Sequence, residues 1–195
     1  MATTVPERGE MGIGGMTKAS VLRSFSFVAA CALSVSLSAC QSSGETTPGA
    51  VRFDPALAAF INQKGKATIE GHAFLRKKNG VVVNAAGEVV RLVPVTPYAQ
   101  ERFRKIYGSR KFALALSATR PEPADPAYET YTRQTKAGAN GKFTFENVGP
   151  GRYYVATQLT YSDSSRYFQD GGAIYDEVVV TGRETDPINV ILSGN

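Results

Sequence analysis

Histidine, cysteine and long apolar runs are what this chain lacks, and each shortage closes off a class of function. His72 is the single histidine in 195 residues. A hydrolytic triad or a zinc site needs several convergent groups, so one imidazole with no partner of its kind argues against both. It alternates with Thr68 and Glu70, which places it on the outer face of a strand. Cysteine is limited to Cys31 and Cys40, so everything after residue 40 has neither a disulfide nor a free thiol. Its stability must come from burial of a core. The longest apolar run, Phe25 to Ser36, falls short of the roughly 20 residues that a membrane-spanning helix needs. Charge of one sign is also scarce. The formal net charge is +5, one unit of which belongs to the leader, where Arg8, Lys18 and Arg23 face Glu7 and Glu10. So mild an excess does not point to nucleic acid as a partner. There is no internal repeat and no calcium-loop spacing.

The beginning of the chain is rich in targeting signals. Lys18 and Arg23 form a positive region ahead of the apolar segment, the order found in export signals. Leu37-Ser38-Ala39-Cys40 follows directly and resembles the lipobox of bacterial lipoproteins. The resemblance implies cleavage before Cys40, a diacylglycerol on its thiol, an acylated new amino terminus and a membrane as partner through that lipid. Gln41, in place of an aspartate, implies an address at the outer membrane, on the periplasmic face or at the surface. Residues 1–39 are then a signal peptide. Residues 1–15 look like an extension upstream of a start at Met16. Residues 40–64 are the lipidated cysteine and a tether, polar and small from Gln41 to Ala50. Within that tether Asp54-Pro55 has the form of a helix cap, and Leu57, Phe60 and Ile61 share a helical face that can dock on the domain.

Residues 65–195 read as one β domain, organised around Thr135 to Val155. Asn140-Gly141 has the composition of a two-residue hairpin turn with positive φ at both positions. Phe143 and Phe145 then alternate with polar residues, Gly149-Pro150-Gly151 turns the chain, and Tyr153, Val155, Thr157 and Leu159 share one face. This reads as a meander of antiparallel neighbours. The spacing Thr-x-x-x-x-Asn-Gly-x-Phe-x-Phe-x-x-Val-x-x-Gly-x-Tyr-x-Val resembles the carboxypeptidase regulatory-like domain. That resemblance implies an all-β, antiparallel two-sheet sandwich of the prealbumin type, with about seven strands and one or two short helices. The fold hosts many functions and names none. Upstream, Lys66 to Arg76 is the first strand, with Ile69, Gly71 and Ala73 inward. Asn79-Gly80 and Ala86-Gly87 are turns, and Val90 and Leu92 point to the core from the strand that ends at Pro94. Thr96-Pro97 caps a helix that buries Ala99, Phe103, Ile106 and Tyr107 and stops at Gly108. The succession GHAFLR to VTPYAQERF also resembles a bacterial subgroup of these domains, with no activity implied. Gly108 to Ala127 reads as an irregular crossing loop, and Tyr128 to Lys136 as strand. Tyr175 to Thr181 and Ile188 to Leu192 complete the sheets.

Four constellations remain. Arg102, Arg104, Lys105, Arg110 and Lys111 gather on the helix and its exit, either as an ordinary solvated face or as a contact for anionic head groups or an acidic partner. Tyr154, Tyr161, Tyr167 and Phe168 are the candidates for an exposed aromatic patch, taken from a dense group whose remainder is core. Asp163, Asp170 and Asp176 surround a serine- and glycine-rich loop, where turn chemistry explains them better than calcium. Lys66, Glu70 and Asn189 invite comparison with the isopeptide cross-links of collagen-adhesin sandwiches. Strand alternation turns this trio to water, where a lysine stays protonated and cannot attack an amide, so no such bond is expected. The composite expectation is a non-enzymatic, lipid-anchored envelope protein without cofactor or metal. Its sandwich acts as a structural or protein-interaction module or, alternatively, binds glycan or peptidoglycan through aromatic loops.

Overall fold

A computed structural model describes residues 51–115, 122–162 and 170–194. The chain divides into Met1–Gly44 and Glu45–Asn195, and all described residues belong to the second unit. The lipobox and Cys40 therefore lie outside the described residues.

The fold is an all-β sandwich of two sheets, with nine strands among the described residues rather than about seven. A short helix α1 (Pro55–Ala58) and a 3-10 turn (Ala59–Asn62) lead into β1 (Lys64–Arg76), β2 (Val82–Asn84) and β3 (Val89–Pro94). Helix α2 (Pro97–Tyr107) follows, then β4 (Phe112–Leu114) and helix α3 (Pro126–Thr130). The chain closes with β5 (Arg133–Lys136), β6 (Lys142–Val148), β7 (Gly151–Tyr161), β8 (Asp170–Val180) and β9 (Ile188–Gly194). One sheet is centred on β1, which pairs antiparallel with β2 and β6 and parallel with β9. The other runs β4-β8-β7-β3-β5 and is antiparallel throughout. The parallel pair, Ile69 beside Ile188, departs from the all-antiparallel expectation. It arises because β8 and β9 lie in different sheets, so β9 does not have to reverse against its predecessor.

The stretch 133–161 is not a meander. β5 and β7 belong to the five-stranded sheet while β6, between them, pairs only with β1. Each turn is thus an arch that carries the chain across the sandwich. Asn140 does not share the positive φ of Gly141 (+77°), so the turn is not the mirror-image hairpin type. It is closed instead by the Asn140 side chain accepting from the Lys142 amide (3.1 Å) and by the Gly141 amide donating to the Gly138 carbonyl (2.8 Å). At the second arch the Tyr153 hydroxyl donates to the Gly149 carbonyl (2.8 Å), and burial pushes that phenol up to about 12.

Alternation along the strands fills the space between sheets. Ile69 and Ala73 of β1, Val90 and Leu92 of β3, and Tyr153 and Val155 of β7 are completely buried. Gly71 faces the same way because the Phe143 ring lies across it, 2.0 Å from where a Cβ would stand. Lys66, Glu70 and Asn189 are all exposed, as the alternation requires.

A second apolar layer covers the outer face of the five-stranded sheet. Thr96 caps α2 by accepting from the Ala99 amide (3.2 Å), and Ala99, Phe103 and Tyr107 pack on Val93, Tyr154 and Ala156. Strand β7 is consequently buried on both faces from Tyr153 to Thr157. Two local expectations change. Residues 126–130 are helix rather than the end of a loop and the start of a strand, because Asp125 caps them by accepting from the Ala127 amide (2.8 Å) with proline at the first turn. The segment 53–62 is packed on the sandwich: Phe53 meets Tyr98, Tyr128 and Tyr131 at 5.5–5.8 Å, and Ala58 and Ile61 are buried. Leu57, expected on that docking face, is 51% exposed.

Candidate functional site

Where α2 and α3 meet the outer face of the five-stranded sheet they leave a cleft of about 500 Å³. This lies within the range of small-ligand sites. Its floor is the outer face of the strands: Arg91 of β3, Ala156 and Gln158 of β7, and Ala173 of β8. One wall is the α2 face carrying Arg102, Phe103 and Tyr107; the other is Tyr128 and Glu129 of α3 with Thr132 after it. The lining combines aromatic edges with hydroxyl, amide, carboxylate and guanidinium groups.

Each of these positions has a local cause. Arg91 lies between Val90 and Leu92, both buried, so the pleat turns it outward. Arg102 is held by its Nη1 donating to the Glu122 carbonyl (2.8 Å), and its guanidinium lies 5.6 Å from the Tyr128 ring centre and 5.7 Å from that of Tyr98. Tyr98 in turn accepts from the Asp125 amide (2.9 Å), which ties the start of α3 to α2. The Thr132 hydroxyl donates to the Tyr128 carbonyl (3.0 Å), leaving its lone pairs for a ligand. Burial raises the phenols of Tyr107 and Tyr128 well above the usual tyrosine value, and the positive charge of Arg91 acts on both in the opposite sense. Both phenols are therefore neutral donors near neutral pH.

Among the described residues, the sequence-derived candidates other than Arg102 lie outside the lining of this cleft. Of the five basic residues only Arg102 lines it. Arg104 makes a double hydrogen bond to Glu101 (2.8 and 3.0 Å), which holds that carboxyl below the usual range, and Lys105 stands 3.6 Å from the same group. Lys111 pairs with Asp176. Arg110 joins Lys105 and Lys111 around a separate hollow beside β4 and the end of β9. Local carboxylates thus compensate much of the presumed basic face.

The two described members of the aromatic patch, Tyr154 and Tyr161, do not line the cleft either. Tyr154 is 8% exposed and stacks on Phe103 at 4.2 Å, so it is core beneath α2 and unavailable as a surface. Tyr161 is half-buried under the Lys77 ammonium, 4.2 Å from its ring centre. Tyr167, Phe168 and Asp163 lie outside the described residues. Asp170 and Asp176 sit on β8, and among the described residues no group of three or more His, Cys, Asp or Glu is placed to hold a metal ion. His72 stacks with Phe74 at 4.9 Å and shares a hydrogen bond with the Asn84 side chain at 3.2 Å. No helix among the described residues is long and apolar enough to cross a membrane.

Sequence reasoning passed over Arg91, Tyr128, Glu129, Thr132 and Gln158. Two signals marked them: a lone arginine in an otherwise apolar strand, and Asp125-Pro126, a cap of the same form as Asp54-Pro55.

No family model matches the chain, and no curated protein matches it. Among solved structures it is similar to the crystal structure of a "putative carbohydrate binding protein" from Pseudomonas aeruginosa. The two are 25% identical with a TM-score of 0.64, and the match covers 74% of this chain and 99% of that one.

Proposed function

We propose that this protein is a non-enzymatic, lipid-anchored component of the cell envelope, whose sandwich binds carbohydrate in the cleft between α2, α3 and the five-stranded sheet. The observation that carries the reading is the lining of that cleft. Sugars present hydroxyls at the ring edge and C–H groups on the ring face, and the cleft offers hydroxyl, amide and charged partners beside aromatic edges. The likeness over 99% of a chain described as a "putative carbohydrate binding protein" supports the same reading. The resemblance to carboxypeptidase regulatory-like domains belongs to the proposal as a description of the scaffold. Among the described residues the cleft is lined by a single carboxylate, Glu129, rather than the pair that glycoside hydrolysis ordinarily uses, and binding without chemistry is the reading we adopt.

The anchor is Cys40, the lipid-bearing residue implied by the Leu-Ser-Ala-Cys box, with the protein held at the outer membrane. Cys40→Ser should abolish lipid labelling and move the protein into the soluble fraction. Retention of the variant on membranes after a high-salt wash would contradict the anchor. For the ligand, the full Cys40→Ser chain applied to an array of bacterial oligosaccharides and peptidoglycan fragments should retain a defined subset. Retention of none would remove the carbohydrate reading.

A protein-interaction module is the second reading. It is favoured by the outer face of the other sheet, where Ile191 is 64% exposed beside His72, and Val82 is 44% exposed beside Arg76.

A further inference from the structure

Charge within the cleft narrows the kind of sugar it accepts. Arg91 and Arg102 contribute two guanidiniums, against one lining carboxylate, Glu129. Arg102 is committed to the Glu122 carbonyl and to the faces of Tyr98 and Tyr128. Arg91 differs: its guanidinium is exposed on the cleft floor and makes no hydrogen bond or ion pair with any described residue. Other described surface cations, such as Arg76 and Lys136, also have no carboxylate partner, but of the cleft's two guanidiniums Arg91 is the one left uncommitted. It is also fixed in place, because β3 is paired on both sides, with β5 and with β7.

We infer that the ligand is an acidic saccharide of the uronic acid type, whose carboxylate is received by Arg91 while its hydroxyls meet Glu129, Gln158 and Thr132. The inference rests on the carbohydrate reading above and specifies its substrate class. An arginine fork matches the two oxygens of a carboxylate, and such charge-assisted pairs are the strongest hydrogen bonds a binding site can offer. The net lining charge of one positive unit suits a carboxylate monoanion better than a phosphate dianion. The neutral phenols of Tyr107 and Tyr128, beside Arg91, add donors without adding negative charge.

The test is calorimetric titration of the full Cys40→Ser chain. The probes are trimers of galacturonate, glucuronate and mannuronate, each beside its neutral parent hexose trimer, and a hexose 6-phosphate. At least one uronate trimer should bind about tenfold or more tighter than its neutral parent, the scale expected of a hydrogen bond to a charged group. Arg91→Gln should erase that difference, and Arg91→Lys should restore part of it. Arg104→Gln, the same charge change outside the cleft, should leave it intact; thermal melts would verify that each variant is folded. Equal binding of acidic and neutral trimers would overturn this inference and leave the carbohydrate reading standing. Equal losses in the Arg91 and Arg104 variants would overturn it too, by assigning the preference to overall charge, as would preferential binding of the phosphate. If no sugar of either kind binds, both readings fall.

Discussion

Gly141 shows how one residue can tie an arch to the strand beside it. Its φ of +77° excludes β-branched side chains, and a Cβ there would stand 2.4 Å from the Ala73 carbonyl. The close approach is productive, because the Ala73 amide donates to the Gly141 carbonyl (2.9 Å) and ties the arch to β1. Gly141→Val should therefore lower stability by at least about 1 kcal/mol, from backbone strain and the lost contact together. An unchanged chemical-denaturation midpoint would show that the arch does not need this conformation. Glu184 is a second local device. Its carboxylate accepts from the Thr181 hydroxyl and amide and from the Gly182 amide, and these bonds hold its pKa near 2 against an ordinary 4.5. A depressed folded value means the contribution is complete above the unfolded pKa and is lost as pH falls through the folded one. Wild type should melt above Glu184→Gln at neutral pH, and the gap should close between about pH 4.5 and 2. A gap independent of pH over that range would refute the assignment.

At the scale of elements, α2 is the piece that makes the cleft, since it covers the outer sheet face and supplies one wall. Its cap is testable alone. Thr96 is 4% exposed and satisfies the Ala99 amide, so Thr96→Ala should cost about 1 kcal/mol while Thr96→Ser retains most of the stability. Equal melting of the alanine and serine variants would mean the hydroxyl is idle. This helix was fully legible in the sequence, because cap, proline, apolar spacing and terminal glycine all agree. So were β1, β3 and the burial of Phe143 and Phe145, where period two is strong. Strand partnership was not. Local alternation states which face of β6 is buried, but it does not say whether the neighbour in space is β5 or β1, and a turn sequence does not separate a hairpin from an arch. Helix α3 was missed because its five residues are too few for periodicity, which left only the cap to reveal it. Tyr154 was misplaced for a related reason: a strand covered on one face by a helix is buried on both, and alternation cannot show that.

At the largest scale the described residues form a sandwich whose two outer faces differ. On the five-stranded sheet the helices leave a single-sided recess with an uncompensated arginine at its floor. On the other sheet His72, Ile191 and their neighbours face outward, with no covering helix or strand among the described residues. The site was poorly legible in the sequence because its members come from β3 and α2, from α3 and from β7, three separate stretches of the chain. Only Arg102 was anticipated, and for a different role. The two faces predict different behaviour on ligand addition. The most direct measurement is therefore an amide NMR titration of the isotope-labelled full Cys40→Ser chain with an oligosaccharide selected on the array. Shifts should gather on Arg91, Arg102, Glu129, Thr132 and Gln158, and the outer face at His72 and Ile191 should stay still. Shifts confined to that opposite face, with the cleft unmoved, would contradict the assignment of the cleft as the binding site.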